Sequence, residues 1–466
     1  MRKHPDKVSV AMPSQDTRLN DIVKAYDIRG TVPDQLDEDV AHALGVAFAR
    51  FVTTSHLLVG HDMRPSGPAL VDAFSRGVME QGIDVIQLGL ASTDLVYFAA
   101  GMLDAPAAMF TASHNPAQYN GIKLCLSGAR PVGVDTGLVE IQVAAQAVLD
   151  GHVPAPAARA GRATRRNLLS AFVEHVLGFL DISKLRPLRV VADTANGMGG
   201  LVVPAVFERL PLIDLEVMYG ELDGTFPNHP ADPLQPANQR DLQARVTAGG
   251  FDLGLAFDGD ADRVFVVDEQ GRGISGSTTT AMLATVMLRR FPGSTILHNL
   301  ICSRAVPEVI RECGGTPIRT KVGHSFIKQI MAETGAVFGG EHSAHYYFRD
   351  NFRADSGLIA TMLVLEEIGR SQSKLSAVRK PLERYAASGE INTQVADTNE
   401  AIALVAKAFA ANDQDALDGL TVDCGDWWFN LRPSNTEPLL RLNLEAGNSD
   451  ECFQRVGDVL SLITSL

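Results

Sequence analysis

The chain has 466 residues, 45% of them hydrophobic, and a formal net charge of −14 (41 Lys and Arg against 55 Asp and Glu). That length holds roughly three or four domains of ~100–150 residues, and no apolar run approaches the ~20 residues of a membrane span. The acidic balance disfavours a nucleic-acid partner, which wants a basic face. A phosphorylated metabolite is still admissible, because local arginines or a bound cation reverse the field inside a cleft. Cys125, Cys302, Cys313, Cys424 and Cys452 are dispersed without C-x-x-C spacing. Such a set argues for reduced thiols and against a disulfide framework or zinc cluster. The leader over residues 1–20 lacks the apolar stretch of a secretory signal. A cytoplasmic chain, monomer or homodimer, is therefore expected.

In chain order, Lys24-Ala-Tyr-Asp-Ile-Arg-Gly30 comes first and offers Tyr26 and Arg29. Three stretches then share one pattern of strand, polar loop, helix and strand. The first runs through His56–Gly60, Ala69–Gln81 and Ile83–Leu88. The second runs through Leu188–Ala192, Leu201–Leu210 and Asp214–Met218. The third runs through Ser294–His298, Ala305–Cys313 and Thr316–Arg319. Each has the ~10–12 residues that a βαβ crossover needs, so three similar α/β domains are predicted. A Pro/Ala/Gly stretch, Gly151–Gly161, reads as a linker. Boundaries are placed at residues 1–160, 161–268, 269–380 and 381–466. The third boundary lies in the polar run that follows an amphipathic Leu358–Ile368. The last segment, with a helical Asn399–Ala411 and an alternating Leu440–Glu445, reads as a smaller α+β domain.

Several motifs carry candidate chemistry. Thr111-Ala-Ser-His-Asn-Pro116 follows the strand-like Pro106–Phe110, and Pro116 keeps Asn115 out of the helical region, so Ser113 is expected to face outward beside His114. Gly121-Ile-Lys123 brings Lys123 close behind. Phe257-Asp-Gly-Asp-Ala-Asp-Arg263 places Asp258, Asp260 and Asp262 at alternate positions between two apolar runs. Three carboxylates so close repel one another unless a cation joins them, and a hard divalent cation such as Mg²⁺ suits an all-oxygen set. An EF-hand is the competing reading, but Arg263 stands where that loop requires glycine.

Lys321-Val-Gly-His324 puts His324 on the loop ending the third repeat. Gly339-Gly-Glu-His-Ser-Ala-His345 follows, where Glu341 and Ser343 point the same way if the loop is extended, with His342 and His345 beside them. Arg432-Pro-Ser-Asn-Thr-Glu-Pro438 supplies a fork of donors from Arg432, Ser434, Asn435 and Thr436 that suits the oxygens of a phosphate monoester.

Taken together, these motifs resemble the α-D-phosphohexomutase family, most closely its bacterial and archaeal phosphomannomutase/phosphoglucomutase members, from about Ile22 to the C-terminus. The resemblance implies four domains around a central cleft, the first three of shared α/β topology with mixed sheets. It implies that Ser113 is the phosphoserine, that Asp258, Asp260 and Asp262 hold one Mg²⁺ together with it, and that Arg263 and Lys123 lie near the moving phosphoryl group. Glu341 and Ser343 would read sugar hydroxyls; Arg432, Ser434, Asn435 and Thr436 would grip the phosphate that is not transferred. The implied reaction interconverts mannose 6-phosphate and mannose 1-phosphate through a hexose 1,6-bisphosphate. Glucose phosphates, alone or as well, and then glucosamine phosphates are the alternatives. His114, His324, His345 and Lys123 are the candidates for moving the hydroxyl proton.

Two departures stand out: Ala261 replaces a glycine common in the metal loop, and His342 and Ala344 replace Met and Gly in the sugar loop. Two rival readings lie outside the family. One is a haloacid-dehalogenase-type enzyme with Asp258 as nucleophile; the other is a sugar-phosphate sensor without turnover.

Overall fold

The computed structural model describes residues 18–433 and 439–464. Its strands form four sheets. The first is built from β1 (Ile28–Thr31), β2 (His56–His61), β3 (Asp84–Leu90), β4 (Ala107–Phe110), β5 (Tyr119–Leu126), β6 (Arg130–Pro131) and β7 (Ala163–Arg165), in the order β1-β5-β4-β2-β3-β7 with β6 on β5. The second contains β8 (Leu188–Asp193), β9 (Ile213–Met218), β10 (Leu253–Phe257), β11 (Val264–Asp268) and β12 (Gly273–Ile274), ordered β12-β11-β10-β8-β9. The third has β13 (Thr295–Asn299), β14 (Thr316–Thr320), β15 (Phe338–Gly340) and β16 (Tyr346–Phe348), ordered β14-β13-β15-β16.

One plan recurs in these three sheets. A strand crosses over through a helix to a parallel neighbour, a second helix leads back to a parallel strand on its other side, and that strand turns into an antiparallel partner. The core strands β4 (AAMF) and β10 (LGLAF) are buried at every position, as continuous apolar runs covered by helices on both faces must be. The turn from the third strand to its antiparallel partner therefore emerges at the same node each time: residues 111–118, 258–263 and 341–345.

The fourth sheet is antiparallel throughout, with β17 (Ala386–Gln394), β18 (Asp413–Asp415), β19 (Leu420–Asp423), β20 (Trp428–Pro433) and β21 (Leu439–Ala446) in the order β17-β21-β20-β19-β18. The helices Thr398–Ala408 and Ser449–Ile463 share its apolar core.

Three local expectations change. The helix Gly357–Ser371 is buried around nearly its whole circumference rather than amphipathic, because it lies in the core that joins the first three units. Its Glu366 and Glu367 are buried with partners, Glu366 with Arg290 and the Asp181 N–H and Glu367 with Arg289 and Arg370. The segment after Gly151 is tied to the end of the helix Gly67–Glu80 by Ala157 N–H on Glu80 O and Gly161 N–H on Met79 O, and β7 then pairs with β3 of the first sheet. On the far side of Asp268, β12 continues the second sheet by pairing with β11.

Candidate active site

The turn after β4 is held by a residue that the motifs did not reveal. Arg64 follows β2 and is fully buried against Asp62, its Nε donating to Asp62 Oδ2 at 3.2 Å. Its two terminal nitrogens donate to the carbonyls of Ser113 (3.0 Å), Asn115 (2.6 Å), Pro116 (2.8 Å) and Tyr119 (2.9 Å). A planar fork of donors spans several carbonyls in this way, whereas an ammonium does not. The readable signal was a charged pair, Asp62 and Arg64, between an apolar strand and Pro65; in sequence it looks like an exposed turn.

Ser113 sits at φ +48°, in the left-handed region, with its amide donating to Thr111 Oγ1 at 2.9 Å. It does not face solvent, as the proline argument suggested, but is buried in the cleft with its hydroxyl 2.8 Å from Asp258 Oδ2. Arg263 reaches the same hydroxyl at 3.1 Å. The approach of the two turns requires Gly259, where a Cβ would stand 2.4 Å from the Ser113 carbonyl oxygen.

Asp258, Asp260 and Asp262 are all buried, and each offers an oxygen within 4.8 Å of the others. Lys123, carried by β5, donates to Asp260 Oδ2 (2.8 Å) and Asp262 Oδ2 (2.7 Å). Thr93 Oγ1 donates to Asp260 Oδ2 at 2.6 Å. Oδ1 of Asp260 and of Asp262 have no hydrogen-bond partner among the described residues. Buried carboxylate oxygens left without donors cost free energy unless a cation takes them, so this donor set fits a hard divalent ion.

Burial pushes the Asp258 carboxyl well above the usual range, with Asp262 and Asp260 adding to the shift and Arg263 opposing it. Burial acts the same way on Asp260, but Lys123 and Thr93 overcome it and hold that carboxyl low. Burial works against the charge of Lys123, yet Asp260 and Asp262 raise its pKa well above the ordinary value.

Burial and then the charges of Arg263 and Arg29 hold His114 well below the usual imidazole range. Its Nδ1 lies 2.6 Å from Arg263 and must accept there, since a guanidinium has no lone pair to offer. His345 instead stands between carboxylates, with Nε2 3.9 Å from Asp262 Oδ1 and 4.0 Å from Asp355 Oδ2, and Nδ1 3.6 Å from Glu341 Oε2. Arg29 donates to Asn115 Oδ1 (2.6 Å) and Asp27 Oδ2 (2.5 Å). Tyr26 is half-buried, and desolvation and then Asp27 raise its pKa, with weaker electrostatic influence from Arg29, Glu341 and Arg432.

The turn after β15 is tight rather than extended: Glu341 N–H donates to His345 O and Ala344 N–H to Glu341 O, with Ala344 at φ +65°. Glu341 and Ser343 consequently differ in surroundings. Glu341 is buried and accepts from Gly323 N–H (3.0 Å), Asn299 Nδ2 (3.3 Å) and Tyr347 OH (2.8 Å), whereas the Ser343 hydroxyl meets His345 Nδ1 at 3.0 Å. His342 Nδ1 lies 2.9 Å from Ser277 Oγ. Arg432 is paired with Glu390 at 3.0 Å. Ser434, Asn435 and Thr436 lie outside the described residues, as does the side chain of His324.

Comparison with known proteins agrees with this arrangement. Four models match in order: phosphoglucomutase/phosphomannomutase alpha/beta/alpha domain I over residues 20–147, domain II over 170–272, domain III over 275–385 and the C-terminal domain over 390–460. The chain belongs to the phosphoglucomutase/phosphomannomutase family.

It is 40% identical over 453 residues to a phosphomannomutase of Salmonella montevideo, covering 95% of this chain and 98% of that one. It is 42% identical over 430 residues to phosphohexose mutases of Xanthomonas campestris pv. campestris, covering 91% and 94%. The crystal structure of a phosphoglucomutase/phosphomannomutase family protein from Burkholderia thailandensis matches with a TM-score of 0.86 at 31% identity, covering 96% of this chain and 97% of that one. Among the described residues, no helix is long and apolar enough to cross a membrane.

Proposed function

We propose that this chain is a phosphomannomutase that interconverts mannose 6-phosphate and mannose 1-phosphate through phospho-Ser113 and a hexose 1,6-bisphosphate. The observation that carries the reading is the Ser113 hydroxyl, 2.8 Å from Asp258 and 3.1 Å from Arg263, at the edge of a buried three-carboxylate cluster. The phosphomannomutases among the relatives supply the sugar.

Asp258, Asp260 and Asp262, with a phosphoserine oxygen, would hold Mg²⁺, which when bound offsets charge on the phosphoryl oxygens. Arg263 and Lys123 supply fixed positive charge where negative charge moves during transfer, the main contribution to be expected in such a site. Lys123 stays charged between Asp260 and Asp262, so it stabilises charge and takes up no proton. His114 Nδ1, the ring nitrogen 3.2 Å from the Ser113 hydroxyl, already accepts from Arg263. We assign proton transfer to His345, which stands among carboxylates at the rim of the cluster. Tyr26, Arg29, Glu341, Ser343 and the turn from Arg432 through Thr436 hold the sugar and the second phosphate. The bisphosphate turns over between the two transfers, so the fourth unit must move while retaining it. The four units would divide near residues 160, 268 and 380, the first two divisions shifted to just past β7 and β12 by their pairing with β3 and β11.

The test is a coupled assay with Mg²⁺ and a trace of hexose 1,6-bisphosphate, comparing kcat/KM for mannose, glucose and glucosamine phosphates on one preparation. Mannose should win, and Ser113→Ala should abolish turnover. If glucosamine 6-phosphate won by about tenfold, or ~1.4 kcal/mol in transition-state binding, the sugar assignment would be wrong. If Ser113→Ala kept most activity and Asp258→Asn lost it, the nucleophile would be Asp258.

A further inference from the structure

A second cavity, of about 220 Å³, opens on the seam between the first and third units. Its walls come from the segment Gly128–Thr136 with Ala25 on one side, and from the helix His324–Thr334 with Phe352 and Arg353 on the other. Neither Ser113, the three aspartates, Arg263 nor His345 lines it. A dry cavity of ~150 Å³ accepts benzene, so this one holds an aromatic ring with one small substituent.

The lining is apolar on several sides, through Ala129, Val134, Phe326 and Phe352, and carries the cations Arg130, Lys328 and Arg353 against one carboxylate, Asp135. Among the described residues neither Arg130 nor Arg353 is ion-paired; Arg130 donates only to the Ser127 carbonyl. Lys328 is buried, 3.1 Å from Asp355 Oδ1 and 3.7 Å from the Tyr97 ring centroid.

The backbone at this wall is strained. Phe352 and Arg353 occupy φ +54° and +62° in succession, a conformation that bulky L-residues rarely adopt and that is retained where the surroundings enforce it. The Arg353 amide is fixed on Phe348 O at 3.0 Å. The Phe352 ring lies on Gly101, where a Cβ would stand 2.2 Å from it. Both side chains are thereby set on the cavity wall.

We propose that this cavity is an effector site for a small apolar monoanion, an aryl or short alkyl carboxylate. Its body packs on Phe326 and Phe352, and its charge meets Arg353 and Arg130. The route to the cleft is short: Lys328 to Asp355, then Asp355 Oδ2 to His345 Nε2 at 4.0 Å, then His345 to Asp262 at 3.9 Å. An anion on Arg353 and Arg130 changes the field at Lys328, the third cation of the same wall, and so bears on the Lys328–Asp355 pair that leads to His345.

The probe is benzoate, measured by calorimetry on the full chain, with benzyl alcohol as the neutral control. Val134→Trp fills the cavity from a position already 37% exposed. Arg353→Asn removes the charge with a residue that tolerates a left-handed backbone. Benzoate should bind with a Kd of about 1 mM. Each variant should weaken it by about tenfold or more, as should replacement by benzyl alcohol, and saturating mannose 6-phosphate should not displace it fully. Equal binding by either variant, equal binding of benzyl alcohol, full displacement by the sugar phosphate, or no binding by ~10 mM would overturn the site. The kinetic arm rests on the mutase reading. Benzoate should change kcat or KM of the wild type and leave Val134→Trp unaffected, and saturation without any kinetic change would overturn the effector role. A preparation inactive on every hexose phosphate would count against the mutase reading while the binding arms still decide the site.

Discussion

Replacing Arg64 with methionine tests what holds the Ser113 turn. The side chain is fully buried and makes one charge pair with Asp62 and four bonds to carbonyls of residues 113–119. Removing one partner of a buried pair costs about 3–5 kcal/mol, because the other charge is left uncompensated. The carbonyls add to this, but water entering the vacated space recovers part of their bonding, so the expected loss is about 4 kcal/mol, near the middle of that range. Burial already raises the Asp62 carboxyl and Arg64 opposes the shift. A raised carboxyl favours the fold at low pH and loses that contribution as pH increases, so the penalty of Arg64→Met should grow as pH rises.

A chain of several units need not unfold in one step, so the suitable assay is local: hydrogen exchange of the amides of residues 113–119, with kcat beside it. Exchange should accelerate and kcat fall by about 10²-fold, the effect of misplacing a reacting group by an ångström. Asp62→Asn combined with Arg64→Met should recover part of the loss. Unchanged exchange, or a stability change below ~1 kcal/mol, would refute the clamp.

Lys123→Met removes the cation between Asp260 and Asp262; kcat should fall at least 10²-fold, and Mg²⁺ should raise the melting temperature of the variant more than that of the wild type. Equal increments would mean that Lys123 does not balance the cluster. Burial holds His298 down at about 4 against an ordinary 6.5. A lowered imidazole favours the fold above the unfolded pKa and loses that contribution as pH falls from 6.5 toward 4, a change of ~3 kcal/mol. Urea midpoints across that range should drop for the wild type and stay flatter for His298→Asn. Ala261 and Ala344 sit at φ +61° and +65°, so Ala261→Gly and Ala344→Gly should each be neutral to stabilising by up to about 1 kcal/mol, the gain in local strain being offset by unfolded-chain entropy. A clear fall in Tm for either would show that its methyl group contributes packing instead.

What was legible in the sequence was chemistry concentrated in short stretches. Three aspartates at alternate positions between apolar runs come together as a buried carboxylate cluster able to hold a cation, and Ser113 before His114 and Pro116 comes to lie at its edge. The crossover units were legible because strand and helix periods differ. Contacts between distant residues were not. Arg64 reads as a surface charge until the turn it supports is brought over it, and Lys328, Asp355 and Tyr97 come from three separate elements. Glu341 and Ser343 looked like neighbours on one extended face, but the left-handed Ala344 closes the turn and separates their surroundings. The helix Gly357–Ser371 misled for the opposite reason: Glu366 and Glu367 make it look half-solvated, and their distant partners, the arginines and the Asp181 N–H, explain their burial.

The common node of the three functional turns has a mechanical consequence. Each turn is anchored at both ends to adjacent antiparallel strands, β4–β5, β10–β11 and β15–β16. A tip fixed at two points cannot swing like a lid, and its reach is set by the tilt of its whole sheet. Distances between Ser113, the acidic cluster and Glu341 therefore change mainly when entire sheets rotate against one another. Small angular changes at the base of a strand become larger displacements at the tips, so substitutions along the seams, far from any reacting atom, can retune the site while leaving each turn intact.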